Sequence, residues 1–186
     1  MTNDELLALC ARLRESQSTV SEPVVEFGEV SLDVPAVSLP SVARWLRDQG
    51  PFELLADASA IDWLGHEPDE RRFLISVQLA SISHAGRVRL RVWLPSDEPR
   101  CPSLTPLWTG ADALEREMFD FFGIIFDGHP DLTRIFMPDE WVGHPQRKDY
   151  PLGGITVAYE HGQGVTSPDE RAQRSTTTSG YPGRTS

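Results

Sequence analysis

Cysteine and lysine are scarce in this 186-residue chain, which has two cysteines and one lysine, Lys148. Cys10 and Cys101 lie far apart and form no C-x-x-C pair, so the pattern predicts no disulfide framework and fits a reducing cytosol. Two thiolates are also too few for an iron–sulfur cluster, which usually needs four. Cysteine usage therefore argues against a chain that ligates a cluster by itself.

Long apolar runs are absent as well. The longest near-continuous run is FFGIIF at 121–126, whereas a bilayer span needs about 20 apolar residues. The N-terminus is acidic at Asp4 and Glu5 and has no basic region, so no signal peptide is expected. A net charge of −11 disfavours binding to nucleic acid or to an anionic lipid surface. Any membrane association is therefore expected to go through a partner.

The sequence has no nucleotide-binding loop. Gly153-Gly154 is a turn signal, and Gly162-Gln163-Gly164 lies in a polar region with no strand-to-helix context. No local signature of a Ser-His-Asp or Cys-His nucleophilic site is present either. These absences favour an interaction subunit over an enzyme.

Hydrophobic periodicity predicts an α+β fold. Helices are expected at 3–15 with Asn3 as cap, at 41–49, and from Ala111 to a stop at Gly123. Strands are expected within 23–38, with a break near Gly28, and within 52–64. Alternating residues at 73–80 and 88–94, around a Gly-containing turn, predict a hairpin. Pro35, expected late in the second of the two strands within 23–38, argues for an edge position there. The predicted fold is a two-layer domain with helices on one face of a mixed sheet, followed by an extended C-terminal segment.

Three parts of the chain are distinguished on this basis. Residues 1–123 are expected to form the α+β core, 124–152 a charged and aromatic segment that docks on a partner, and 153–186 a polar extended tail that orders only on a partner. The segment 124–152 is called the signature segment below. In the hairpin, Arg87, Arg89 and Arg91 share one face, which is either solvated or paired with acidic neighbours, and we favour pairing.

Two Gly-His-Pro turns, at His129 and His144, stand out in the signature segment. With Asp131 they suggest a metal site, but a Gly before and a Pro after each His are turn chemistry. We favour histidines that hydrogen-bond to backbone or carboxylate groups in an ordered loop. A small metal-dependent enzyme using His129, Asp131 and His144 stays open as an alternative.

Charged residues crowd the region from Asp112 to Tyr150, with nine acidic and four basic residues. Arg116 and Asp120 are four residues apart on the predicted helix and can pair. Glu117 and Asp120 could act as general acid and base, but an exposed helix face normally carries such residues. Arg134, Arg147 and Lys148 could bind an anion, and the acidic excess favours internal pairing with Asp131, Asp139 and Asp149, or with a partner's carboxylates, instead.

The order of these residues closely resembles one known family, the 30 kDa subunit of respiratory complex I, the NADH-quinone oxidoreductase. The similarity runs through ERE at 115–117, DFFGI at 120–124, GHPDL at 128–132, RI at 134–135, PD at 138–139, Trp141, GHP at 143–145 and RKDYPLG at 147–153, with PDER at 168–171 in the tail. Position 133 is Thr where the family usually has a basic residue, and position 146 is Gln where an apolar residue is common.

The resemblance implies a cofactor-free subunit in the peripheral arm of that complex, with no active site on this chain. FMN, the iron–sulfur clusters and the quinone site would belong to other subunits, which carry electrons from NADH to quinone and couple this to proton translocation. The expected partners are the quinone-site subunit of the 49 kDa type and neighbouring iron–sulfur subunits. The chain would lie on the cytoplasmic side of the cell membrane, peripheral through its partners.

The resemblance also implies which residues organise the signature segment. They are Glu115, Arg116, Glu117, Asp120, His129, Asp131, Arg134, Asp139, His144, Arg147, Lys148, Asp149 and Tyr150. The nearest alternative within the superfamily is the equivalent subunit of a membrane-bound hydrogenase or of another relative with a different electron donor.

Overall fold

The computed structural model describes residues 1–151. Three helices, α1 (Asn3–Ser16), α2 (Leu39–Asp48) and α3 (Ala111–Phe122), alternate with seven strands. The strands are β1 (Val24–Glu26), β2 (Glu29–Asp33), β3 (Leu54–Asp62), β4 (Phe73–Ser81), β5 (Gly86–Leu94), β6 (Arg100–Pro102) and β7 (Ile125–Asp127). Met1–Asp149 form one compact unit, and most of a second unit, Tyr150–Ser186, lies outside the described residues.

The predicted mixed sheet is confirmed. Its strand order is β1-β2-β5-β4-β3, with β2 parallel to β5 and the other neighbours antiparallel. Strand β2 therefore lies inside the sheet, and the expectation that Pro35 marks an edge strand is wrong. The strand ends at Asp33, and Pro35 comes after it, so its missing N–H interrupts no ladder. Strands β6 and β7 form a separate parallel pair.

One face of the sheet carries the core. Alternate residues of β4 and β5, from Phe73 to Leu79 and from Val88 to Leu94, are almost fully buried, as period-two burial requires. The apolar sides of the helices pack in the same core, through residues such as Leu13, Leu46 and Met118. The predicted helix bounds are accurate within about two residues, the usual uncertainty of helix ends, but Thr2 rather than Asn3 caps α1. The Thr2 side chain accepts from the Glu5 N–H, and the Glu5 carboxylate accepts from the Thr2 N–H.

The opposite face of the hairpin holds the arginines. Arg89 pairs with Glu29, and Arg91 Nε lies 2.7 Å from Asp33 Oδ1 on β2. Pairing is thus observed for these two side chains, and it occurs within the chain. Because the pairs are partly exposed, each contributes about 0–1 kcal/mol.

Candidate functional site

The carboxylate of Asp120 is the centre of the site. It belongs to the last turn of α3, and its residue is 0% exposed. Its Oδ2 accepts hydrogen bonds from the backbone N–H groups of Ile135 (3.1 Å), Phe136 (2.8 Å) and Met137 (2.9 Å). Its Oδ1 accepts from Arg134 Nη1 at 2.7 Å. We call this arrangement the Asp120 nest, since consecutive N–H groups converge on one anion.

Burial alone would raise the pKa of Asp120. The hydrogen bonds from Met137, Phe136, Arg134 and Ile135 outweigh burial, so the pKa lies below its ordinary value. Asp120 is therefore a buried, ionised side chain that organises backbone. Its carboxylate has no free oxygen, because both oxygens accept hydrogen bonds. The predicted Arg116–Asp120 pair is wrong, since Asp120 pairs with Arg134, fourteen residues away in sequence.

The C-terminal carbonyls of α3 are occupied by the signature segment. His144 Nδ1 lies 2.9 Å from Asp120 O and donates to it, the Gln146 N–H donates to Phe121 O at 3.1 Å, and Arg147 Nε donates to Phe122 O at 2.6 Å. A helix end leaves such carbonyls without partners in the helix. Cationic Arg134 and Arg147 also suit the negative end of the helix dipole. The segment therefore acts as an extended cap of α3.

Gly123 makes this close approach possible. Its φ is +71°, and a Cβ placed on it would lie 2.6 Å from the His144 ring and 2.7 Å from Arg147 Nη2. The predicted helix stop at Gly123 is confirmed, because this glycine takes the left-handed conformation after the last helical residue. Both the backbone angle and the missing side chain are needed here.

The first turn of α3 holds the other Gly-His-Pro turn. The His129 ring is fully buried; its Nε2 lies 3.3 Å from Asp112 O, and its Nδ1 accepts from the Asp131 N–H at 3.1 Å. These contacts place the ring proton on Nε2. Nearby, the Glu115 carboxylate accepts from Ser103 Oγ and the Leu104 N–H, both at 2.6 Å. Burial raises the pKa of Glu115.

The two histidines are thus tied to opposite ends of α3. Their carbonyl acceptors, Asp112 O and Asp120 O, are eight residues apart, which is about 12 Å along a helix axis. The favoured reading of hydrogen-bonded loop histidines is confirmed. Within residues 1–151, no group of three His, Cys, Asp or Glu side chains is arranged to hold a metal ion, so the metal-enzyme alternative has no geometric support there.

A buried ion pair holds the far end of the segment. Arg72 Nε and Nη2 donate to Asp62 Oδ1 and Oδ2 at 3.1 and 3.0 Å, and Arg72 Nη2 lies 2.8 Å from Asp149 Oδ1. The Lys148 N–H donates to Asp62 Oδ2 at 2.8 Å. We call these four residues the Arg72 clasp. It connects the signature segment to the ends of β3 and β4.

The clasp also shifts the titration of its members. Burial alone would raise the pKa of Asp62. Hydrogen bonds from Arg72 and from the Lys148 and Leu64 N–H groups outweigh burial, so the pKa lies below its ordinary value. The bond to Asp62 raises the pKa of Arg72. The Arg72 and Arg147 guanidinium groups also contact the Phe73 ring, at 4.8 and 5.2 Å from its centroid.

Sequence reasoning missed Asp62, Arg72 and Phe73. It offered Asp149 as an internal partner of Arg134, Arg147 or Lys148, with a partner's carboxylates as the alternative, and the structure corrects the internal pairing because Asp149 meets Arg72. Similarly, Arg134 meets Asp120 rather than Asp131 or Asp139. One available signal was that Asp62 and Arg72 carry opposite charges at the facing ends of two predicted strands. Asp62 lies opposite Phe73 in the antiparallel register, and Arg72 immediately precedes Phe73.

The remaining candidate residues have mixed positions. Arg116 donates to the carbonyls of Thr133 and Arg134, both at 3.1 Å, and lies 3.9 Å from Asp112. Glu117, Asp131 and Asp139 are exposed, and no ion pair of theirs is seen among residues 1–151. The side chain of Lys148 is exposed and Tyr150 is half-buried. The tail motif at 168–171 lies outside the described residues.

Fold and site together define an α+β scaffold whose last helix is capped by a long, internally bonded segment. The sequence profile described as "Respiratory-chain NADH dehydrogenase, 30 Kd subunit" matches residues 32–156. The chain belongs to this family of respiratory-complex subunits. In the part of the chain that is described, no helix is both long and apolar enough to cross a bilayer.

Curated relatives agree with that assignment. The C subunit of the NADH-quinone oxidoreductase of Mycobacterium sp. (strain KMS) is 48% identical over 173 residues, which cover 90% of this chain and 74% of the relative. The protein of the same name from Nocardioides sp. (strain ATCC BAA-499 / JS614) is 45% identical over 169 residues, 88% of this chain and 66% of that one. The chain is thus of the oxidoreductase-subunit type.

Two solved structures share the fold. A trypsin-resistant fragment of Nqo5 superposes with a TM-score of 0.58 at 30% identity, covering 68% of this chain and 98% of the fragment. A chain of the membrane-bound sulfane sulfur reductase, an archaeal respiratory membrane complex, superposes with a TM-score of 0.62 at 21% identity, covering 78% and 85%. The second likeness concerns the fold alone.

Proposed function

We propose that this chain is a cofactor-free subunit of the peripheral arm of an NADH-quinone oxidoreductase. It supports electron transfer from NADH through FMN and iron–sulfur clusters in other subunits to quinone, coupled to proton translocation. Its role is positional, because it keeps neighbouring cluster-bearing subunits in fixed relative places. It has no active site of its own and lies on the cytoplasmic side of the membrane, peripheral through its partners.

One observation carries this proposal: five polar side chains of the signature segment and of α3 are used for internal bonds. Asp120, Arg134, His129, His144 and Arg147 each bind backbone groups or each other. A reactive acid or base would need access to a substrate atom, whereas these groups fix a loop on a helix. This favours a rigid support over a catalytic centre.

The cysteines support the absence of a cluster on the chain. Cys10 and Cys101 are both free and 0% exposed. Burial raises the pKa of Cys10 to about 11 and also raises that of Cys101, whereas metal ligation requires the thiolate. The clusters of the assembly are therefore assigned to neighbouring subunits.

We assign the signature segment to the interface with the quinone-site subunit of the 49 kDa type, beside iron–sulfur subunits. The test is affinity purification of the tagged full-length chain from its host membranes, followed by mass spectrometry and assay of NADH oxidation. We expect the quinone-site subunit, cluster proteins and flavin in one assembly that oxidises NADH. Recovery of the chain alone would refute the proposal, and an assembly that lacks flavin but oxidises hydrogen would favour the hydrogenase-type alternative.

A further inference from the structure

Phe136 is an exposed aromatic side chain held in a fixed place. Its ring is stacked on Phe121, with centroids 5.1 Å apart and planes 11° apart, while 60% of the residue is exposed. Its backbone N–H donates to the buried Asp120 carboxylate at 2.8 Å. An aromatic ring that is ordered before binding loses little conformational entropy when it is buried by a partner.

Other exposed apolar side chains belong to the same network. Ile135 donates its N–H to Asp120, and Val142 lies between the Trp141 and Gly143 carbonyls that accept from Arg134 Nη2. Of the ten large apolar residues exposed in the described chain, three fall within 135–142. Ile135, Phe136 and Val142 are thus exposed apolar residues whose backbone belongs to the Asp120 nest or borders the acceptors of Arg134, and we call these three residues the apolar patch.

The exposed charged residues that adjoin this patch in the sequence or on α3 are acidic. Arg134 is almost buried and bound to Asp120, and Arg116 donates to two carbonyls. By contrast, Glu117, Asp139 and Glu140 are exposed, and no ion pair of theirs is seen within residues 1–151. Glu117 precedes Phe121 by four residues and so lies on the same face of α3. Arg116 and Arg134 are thus engaged in bonds within the chain, whereas the carboxylates of Glu117, Asp139 and Glu140 are exposed.

From this geometry we propose that Phe136 is the anchor of the interface, and that it enters an apolar pocket bordered by arginine or lysine on the quinone-site subunit. The inference rests on the proposed function and specifies the chemistry of the partner surface. Aromatic anchors surrounded by a polar rim carry much of the binding energy of such interfaces. The acidic rim would speed association with a basic surface and exclude acidic ones.

The test co-produces the tagged full-length chain with the quinone-site subunit of the same genome and measures the amount of partner recovered. We expect Phe136→Ser to lower recovery by about tenfold or more, as hot-spot truncations do, and Phe136→Leu to retain most of it. Phe27→Ser is the matched control, because Phe27 is fully exposed at the turn between β1 and β2. It should leave recovery unchanged.

The rim is tested separately. The double substitution Glu117→Lys with Asp139→Lys should lower recovery and weaken its dependence on salt, whereas Glu15→Lys, at an exposed position of α1, should not. Thermal unfolding of each isolated variant, together with amide exchange at Met137, checks that the Asp120 nest is intact.

The outcomes separate the two levels of inference. Full recovery with a folded Phe136→Ser variant would overturn the anchor and leave the proposed function standing. Equal losses from Phe27→Ser would also overturn it. If the unmodified chain recovers no partner, both fail, and a self-association of the isolated chain that Phe136→Ser abolishes would assign the patch to a second copy instead.

Discussion

Arg134 and Asp120 form a nearly buried ion pair, with Nη1 2.7 Å from Oδ1, at the point where α3 ends and the signature segment folds back. Replacing Asp120 by Ala would leave Arg134 without its counter-charge and three backbone N–H groups without their acceptor. We expect a loss of about 3–5 kcal/mol in the free energy of unfolding, as for other broken buried pairs. Urea unfolding of the two proteins measures it.

Asp139→Ala is the control for that substitution, because an exposed carboxylate without an ion pair in the described chain should change stability by about 0.5 kcal/mol or less. The stabilisation by the Arg134–Asp120 pair is also lost in acid. Since the folded pKa of Asp120 is depressed, its stabilisation is fully present above the ordinary value of about 3.9 and is lost as the pH falls through the folded pKa. An Asp120→Ala protein with unchanged stability at neutral pH would contradict this account.

Gly123→Ala should destabilise the chain through two separable effects. The left-handed backbone costs a non-glycine residue about 1–2 kcal/mol, and the new Cβ would meet the His144 ring at 2.6 Å. Gly128→Ala isolates the first effect, because its φ is +82° but no atom beyond its two chain neighbours lies within 4 Å of the added Cβ. Gly110→Ala has neither problem. The free energy of unfolding should be highest for Gly110→Ala, intermediate for Gly128→Ala and lowest for Gly123→Ala. Any other order would argue against the close approach of His144 and Arg147 to Gly123.

Arg72→Met should cost about 3–5 kcal/mol, because it leaves the Asp62 carboxylate buried without its cation. The free energy of unfolding of Arg72→Lys should lie between those of Arg72→Met and the unmodified chain, since a lysine cannot reproduce the bidentate contact with Asp62. Arg89→Met provides the matched control at a surface pair with Glu29, where about 0–1 kcal/mol is expected. Similar losses at Arg72 and Arg89, measured by urea unfolding, would show that the clasp is not a buried pair in solution.

His144 should make stability depend on pH near neutrality. Burial lowers the pKa of His144, and the charges of Arg147 and Arg134 act in the same direction; together they outweigh the bond from Nδ1–H to Asp120 O, which raises the pKa. The folded chain therefore favours the neutral ring. Below the ordinary value of about 6.5, the unfolded chain binds more protons at this site, and stability falls as the pH drops toward the folded pKa. Thermal midpoints of the unmodified chain and of His144→Asn should converge as the pH falls. If the two thermal midpoints change in parallel with pH, the pH dependence of stability does not come from His144.

The sequence by itself determined the helices, the hairpin and the mixed α+β class, since burial along a regular element repeats with a fixed period. It also determined the acidic balance and the two isolated cysteines, and its ordered signature indicated the family. Only the tertiary structure decided which charges meet. Asp120 reaches Arg134 and Asp149 reaches Arg72 because irregular turns bring distant backbone together, and no local spacing encodes that approach. The tertiary structure also decided that Asp120 and the His129 ring are buried, whereas Phe136, Glu117 and Asp139 are exposed.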